Sequence, residues 1–292
     1  MKKLLLFLAA GLMLVLIFGC SDSPNINNST DKPAITLVQR PEFIETRPEA
    51  VVSQFILNIE PTEFFNKRPP QPPPDTGQDP NPNPPHKYAY IVGISDYEGT
   101  GNDLQFCDDD AMDMKSYFMS QGFTVRMDLD RSATADAITA GLQWLVSSAV
   151  AGDEIAFAYS GHGVKVQGYG SSIISTDLYY ITHGYVMQYF NGVNCTKKLT
   201  TLDACFMGDF HTDTQIGTVM ATASTNCYSW DAPDLGNGAW TYFFLEAAEG
   251  QNMKYAEDCA TYAESGMAAW AAQNHLRVCP KHTDKYTGMF DM

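Results

Sequence analysis

Two short blocks of the sequence hold side chains that could work as a pair. Ser160-Gly161-His162-Gly163 sets an imidazole between glycines, and Asp203-Ala204-Cys205-Phe206-Met207-Gly208 carries a thiol two residues after a carboxylate. A free thiol titrates near about pH 8.5 and attacks well only as the thiolate, so a nucleophilic cysteine needs an imidazole or a dipole beside it. His162 as proton carrier and Cys205 as nucleophile suit acyl transfer if the fold brings the two blocks together. His183 and His211 compete for the proton-carrying role, but neither follows an expected strand and both read as surface residues. Gly168-Tyr169-Gly170-Ser171-Ser172 has the outline of a serine nucleophile turn, yet no buried strand leads into it, which argues against that class of hydrolase.

The surrounding pattern supplies elements that could position the pair. Ala89-Tyr90-Ile91-Val92-Gly93-Ile94 is an apolar run expected to form a buried strand, and 111–119 carry helical spacing after an Asp-rich start. Residues 122–127, 155–159, 198–203 and 216–223 read as further strands, and Thr134 as the N-cap of a helix through Ile138, Leu142 and Leu145. Buried strands alternating with helices predict an α/β fold, a mostly parallel central sheet covered by helices on both faces. Ligands gather at the carboxyl ends of such strands, where His162 and Cys205 fall, and the flanking glycines allow an unusual backbone and a close substrate approach. Trp240-Thr241-Tyr242-Phe243-Phe244-Leu245 is expected in the core.

Taken together, these blocks resemble the caspase-like cysteine peptidases, especially the metacaspase and bacterial caspase-domain branch. Tyr159 to Gly163 and Leu202 to Gly208 are similar to the family's catalytic blocks, Ile91 to Tyr97 to its opening strand and loop, and Cys107 to Ala111 to its Asn-Asp-Ala-like segment. Ser132-Ala133-Thr134, Gly238 to Tyr242 and Asp284 to Phe290 follow in the family's order. The resemblance implies a three-layer sandwich and a cysteine endopeptidase, with His162 as acid/base and Cys205 as nucleophile. The Gly163 and Cys205 backbone N–H groups would form the oxyanion hole, and a backbone group would orient the histidine. Asp110 and Asp203 match the metacaspase pattern of carboxylates that receive a basic side chain, which implies cleavage after Arg or Lys. Asp108 and Asp109 read as a solvated helix start. No cofactor is required. Calcium stays open, since Asp177 falls where the family places an aspartate, with Asp209 and Asp213 as nearby candidates, while a calcium ion needs about six to eight oxygen ligands. The alternative is a catalytically silent caspase-fold interaction module on the cell surface, against which the presence of both His162 and Cys205 argues.

The 292 residues carry 18 Lys plus Arg against 34 Asp plus Glu, a net charge of -16 that disfavours nucleic acid and favours basic peptides as partners. Lys2 and Lys3 precede an apolar run to Phe18 that is too short to span a bilayer, and Leu16 to Cys20 resembles a lipoprotein processing box. Residues 1–19 are therefore expected to be a signal peptide and Cys20 a lipidation site, placing the protein outside the cytoplasm and on a membrane only through its anchor. Residues 20–87 read as a tether, a short apolar segment and a stalk, with ten of the 16 prolines between Pro61 and Pro85. The apolar segment around Val51 to Leu57 either leans on the main domain or acts as a pro-segment; its sequence leaves both open. Residues 88–292 form the expected peptidase domain. Cys107, Cys195, Cys227, Cys259 and Cys279 are odd in number, so at most two bridges form among them, in a pairing that spacing does not assign. Lys165 and Lys197-Lys198, lying between the catalytic residues, are candidate self-processing positions.

Overall fold

The computed structural model describes residues 38–59, 85–195 and 197–292, all within the unit Ile35–Met292. The signal segment, Cys20 and residues 60–84 lie outside the described residues. Ahead of the central sheet come β1 (Val38–Gln39), α1 (Glu49–Val52) and β2 (Ile56–Leu57). The first half of the domain holds β3 (Lys87–Gly93), α2 (Cys107–Ser120), β4 (Thr124–Leu129), α3 (Ala135–Ser148), β5 (Glu154–Ser160), β6 (Gly163–Val166), β7 (Gly170–Ile174) and β8 (Tyr180–Thr182). There follow α4 (His183–Gly192), β9 (Lys197–Asp203), α5 (Gly208–Asp213), β10 (Thr218–Thr222), β11 (Trp230–Ala232), β12 (Asn237–Gly238), α6 (Ala239–Leu245), α7 (Ala256–Gln273) and β13 (Lys281–Asp284).

The central sheet has the order β13-β10-β9-β5-β3-β4, parallel throughout except for β13. Successive side chains of a strand point to opposite faces. Ala89, Ile91, Ala156 and Ala158 accordingly pack with α2, α6 and α7, and Tyr90, Val92, Phe157 and Tyr159 with α3 and α4. Both faces are buried, which is why these strands read as continuous apolar runs, and the three layers are those expected. Trp240 and Phe244 of α6 are core residues as anticipated, with the Trp240 indole N–H donating to Thr201 at 3.0 Å.

Two local caps set the approach to the sheet's carboxyl edge. Thr134 accepts from the Ala137 N–H at 3.2 Å, the expected N-cap of α3. The start of α2 is held from a distance: Ser95, in the loop after β3, accepts from the Cys107 and Asp108 N–H groups at 3.1 and 3.2 Å. That hook fixes the first turn of α2, and with it Asp110, beside the ends of β3 and β5.

Two small sheets were not legible in the pattern. One has the order β2-β8-β7-β6 and the other β1-β11-β12. Residues 38–59 thus belong to the folded body, β1 pairing antiparallel with β11 and β2 parallel with β8. Lys197 and Lys198 lie inside β9, with Lys198 buried against the Phe190 carbonyl (3.0 Å) and Lys197 paired with Glu154 (2.9 Å). A bond within a central strand is out of a peptidase's reach, which removes this pair as a processing position. Of the five unassigned cysteines, Cys227 and Cys279 form a disulfide, while Cys107, Cys195 and Cys259 remain buried thiols.

Candidate active site

β5 and β9 are neighbours in register, Ser160 opposite Asp203, so the histidine and cysteine blocks leave the sheet side by side. The Gly161 N–H donates to the Asp203 carbonyl at 3.3 Å across this junction. A Cβ on Gly163 would strike the Cys205 carbonyl and lie 3.0 Å from the Cys205 nitrogen. The glycine is needed for closeness, and neither Gly161 nor Gly163 takes the positive φ that the sequence suggested. His162 Nε2 lies 2.8 Å from the Asn102 carbonyl, a group that can only accept, so Nε2 carries the proton and Nδ1 keeps the basic lone pair. Its main chain is clamped as well: its N–H donates to the Tyr97 hydroxyl (2.8 Å), and its carbonyl accepts from Tyr159 (2.8 Å). The orienting group is thus a backbone carbonyl, as the resemblance implied.

Both members of the pair are shut away from water, His162 being 1% and Cys205 2% exposed. Burial pushes His162 down to about 4, against the pull of the Asn102 hydrogen bond and with the Arg40 charge adding to the push. Burial raises Cys205 to about 11, opposed by the Ser229 N–H, which donates to its sulfur at 3.1 Å. In this closed arrangement the pair is a neutral imidazole and a neutral thiol.

Next to the pair is a pocket of buried carboxylates. Asp110 from the first turn of α2 and Asp203 from the end of β9, the two residues expected to receive a basic side chain, meet here with Asp231 of β11, all almost fully buried. Asp231 was missed. It lies in a short strand that carried no sequence signal of its own. Among them sits the guanidinium of Arg40, itself 0% exposed. Its Nε donates to Asp231 at 2.7 Å, and Nη2 donates to Asp110 and Ser160, each at 3.1 Å. Nη1 donates to the Asp203 carbonyl and lies 3.3 Å from the Asp203 carboxylate. The carboxylates are held in turn, Asp110 by Ser160 (2.6 Å) and the Gly238 N–H (2.8 Å), and Asp203 by Ser229 (2.5 Å) and Thr241 (3.1 Å). Burial raises Asp110, with Asp203 adding, and burial raises Asp231; the Arg40 charge opposes both shifts. Burial works against the Arg40 charge, but the surrounding carboxylates outweigh it and hold the guanidinium well above its ordinary value. Gly238 forms one wall, since a Cβ there would fall on the Arg40 guanidinium and the Asp203 carboxylate.

Other singled-out residues have different work. Asp177 accepts from the Ala135 N–H (2.9 Å) and Ser175 (2.5 Å), so it caps α3. Asp209 is bound to Ser171 (2.8 Å) and Lys165 (3.4 Å), and Asp213 to His183 (2.6 Å). Among the described residues no group of three or more His, Cys, Asp or Glu converges as a metal would require, and Asp177 does not fit a calcium site. His211 is buried, contrary to the surface reading, with its ring nitrogens 2.9 Å from Thr222 and Thr283.

Residues 86–281 match a family model described as the caspase domain. Metacaspase-2 of Arabidopsis thaliana is 26% identical over 244 residues, covering 63% of this chain and 55% of that protein. Metacaspase-1 of Mycosarcoma maydis is 31% identical over 106 residues, 30% of this chain and 26% of that protein. The chain therefore spans at most about half the length of these relatives. A crystal structure of a Geobacter sulfurreducens protein superposes with a TM-score of 0.55 at 15% identity, over 70% of this chain and 95% of that one, a likeness of fold.

Proposed function

The chain belongs to the caspase-domain family, and on that premise we propose that it is a cysteine endopeptidase cutting after arginine or lysine. The observation that carries the specificity is the guanidinium held by three buried carboxylates beside Cys205. A neutral side chain there would leave those carboxylates desolvated without a partner, and an acidic one would be repelled. Arginine engages all three through a planar fork, whereas lysine offers one compact charge on a flexible stem, so arginine is preferred.

The chemistry follows from the His162 orientation. With Nε2–H tied to Asn102, Nδ1 accepts the Cys205 proton as sulfur attacks the carbonyl carbon of the bound arginine. The Gly163 and Cys205 N–H groups receive the developing oxyanion. His162 then returns the proton to the leaving amine, and water releases the acyl group from sulfur. None of these steps requires a cofactor. The Cys227–Cys279 disulfide supports an oxidising compartment, in keeping with the export signal and lipid anchor read from residues 1–20.

The test is turnover of short fluorogenic peptides ending in Arg, Lys or Asp by the full chain. Arg and Lys peptides are expected to be cut, and Cys205→Ala and His162→Ala to abolish it. Equal turnover of the Asp peptide would overturn the acidic-pocket reading, and unchanged turnover in either variant the dyad.

A further inference from the structure

The occupant of the carboxylate pocket comes from the chain itself, and the segment that carries it is laid down as a substrate would be. β1 adds to the edge of β11 with Val38 opposite Asp231 and Gln39 opposite Trp230, and the pairing continues as the Arg40 N–H donates to the Ser229 carbonyl at 3.1 Å. The N–H of the same Ser229 donates to the Cys205 sulfur at 3.1 Å. One residue therefore holds the main chain of Arg40 with its carbonyl and the nucleophile with its amide. Extended pairing on a strand edge with a charged side chain in a deep pocket is a recurring way to hold a peptide. Beyond Arg40 the segment crosses the histidine: the Phe43 ring packs edge-on at 5.7 Å from His162. The Ile44 main chain is gripped at both polar groups by the Asn102 side chain, at 2.7 and 3.2 Å. Asn102 is also the residue whose carbonyl orients His162.

The residue after Arg40 is Pro41. Its ring replaces the N–H of the bond that sulfur would break, putting carbon bulk on the nitrogen that His162 must protonate and locking φ on the leaving side. The geometry points to residues 38–59 as a built-in inhibitor of the peptidase: Arg40 fills the specificity pocket as a pseudo-substrate and Pro41 keeps the Arg40–Pro41 bond from being cut. This rests on the peptidase reading above and adds its regulation. Exposure of Cys205 and His162 then follows transient displacement of the segment, so the full chain cuts peptide, but slowly. A tethered segment competes at an effective concentration on the order of millimolar, which dilute peptide cannot match.

Replacing Pro41 turns the inhibitor into a substrate. In Pro41→Ala the Cys205 proton passes to His162, a Cys205 S–C bond forms to the Arg40 carbonyl, and the bond to the nitrogen of residue 41 breaks as His162 protonates that leaving amine. Water then cleaves the thioester, restoring the thiol and leaving Arg40 with a free carboxylate. The experiment compares full-length wild type, Pro41→Ala, Pro41→Ala with Cys205→Ala, and Arg40→Ala, by intact mass and by turnover of an Arg-ending fluorogenic peptide. We expect Pro41→Ala alone to yield a new chain beginning at residue 41, and both it and Arg40→Ala to turn over peptide at least about tenfold faster than wild type. Because Arg40→Ala strips the partner from three buried carboxylates and could unfold, the Pro41 variant, which keeps Arg40, carries the test. A Pro41→Ala chain that stays intact and no faster than wild type, while both cut the peptide, would overturn the inhibitor and leave the peptidase standing. Absence of turnover and of Cys205 labelling by a peptidyl-Arg chloromethylketone in every form would overturn both.

Discussion

Arg40→Ala should be costly to the fold, and the cost should depend on pH in a calculable direction. The guanidinium is 0% exposed and meets Asp110, Asp203 and Asp231 at 2.7 to 3.3 Å. Removing one side of a buried ion network costs about 3–5 kcal/mol, a large share of the roughly 5–15 kcal/mol that holds a domain together. With a urea dependence of about 2–3 kcal/mol per molar, the unfolding midpoint at about pH 8 should fall by about 1–2.5 M. Asp110 and Asp231 already stand above their unfolded values through burial, with Arg40 pulling them down. Taking that pull away raises them further, so the folded variant binds more protons than folded wild type. A carboxylate raised by folding stabilises fully below its unfolded value and loses that contribution as pH rises through its folded value. Each extra proton held by the variant therefore narrows its deficit by about 1.4 kcal/mol per pH unit on acidification. Urea unfolding followed by tryptophan fluorescence should show a deficit at about pH 5 less than half that at about pH 8. A loss below about 1 kcal/mol at the higher pH, or one that does not change with pH, would refute the buried network as the support of this site.

Asp231→Asn leaves Arg40 Nε facing a neutral amide in place of a carboxylate at 2.7 Å, and a charged hydrogen bond is worth about 1.5–3 kcal/mol. In a chain whose inhibitory segment has been displaced, kcat/KM for Arg peptides should drop about 10- to 100-fold, and for Lys peptides less, as steady-state kinetics would show. Cys227→Ser opens a loop of 52 residues, and chain entropy puts the loss at about 4 kcal/mol; thermal unfolding of this variant, and of wild type under reductant, should both shift downward. Asp177→Ala should cost about 1 kcal/mol as a lost helix cap, with the same loss in calcium as in chelator when denaturation is compared; a loss seen only with calcium would restore the metal role.

His162 and Cys205 could be read because each follows a buried strand directly, and strand-end position is a local property of an apolar run and its glycines. Asp110 and Asp203 came instead from the family resemblance, since an aspartate at a helix start or a strand end carries no pocket signal of its own. Asp177 stayed open in the sequence because an aspartate near a helix start can serve a metal or an amide equally well, and only the fold shows it accepting from the Ala135 N–H. His211 looked exposed because short α5 and edge strand β13 gave no clear pattern, yet they close over it.

What the sequence determined by itself is therefore the parallel sheet covered on both faces and the placing of His162 and Cys205 after neighbouring strands, since both follow from short-range patterning; the acidic pocket entered through the family resemblance. What only the tertiary structure decided is how the pocket is completed and what fills it. Arg40 and Asp231 are 191 residues apart in sequence, and Arg40 and Asp203 are 163 apart. No periodicity links such positions. They meet because β1 finds the free edge of β11, and because a buried guanidinium and three buried carboxylates are tolerable only together.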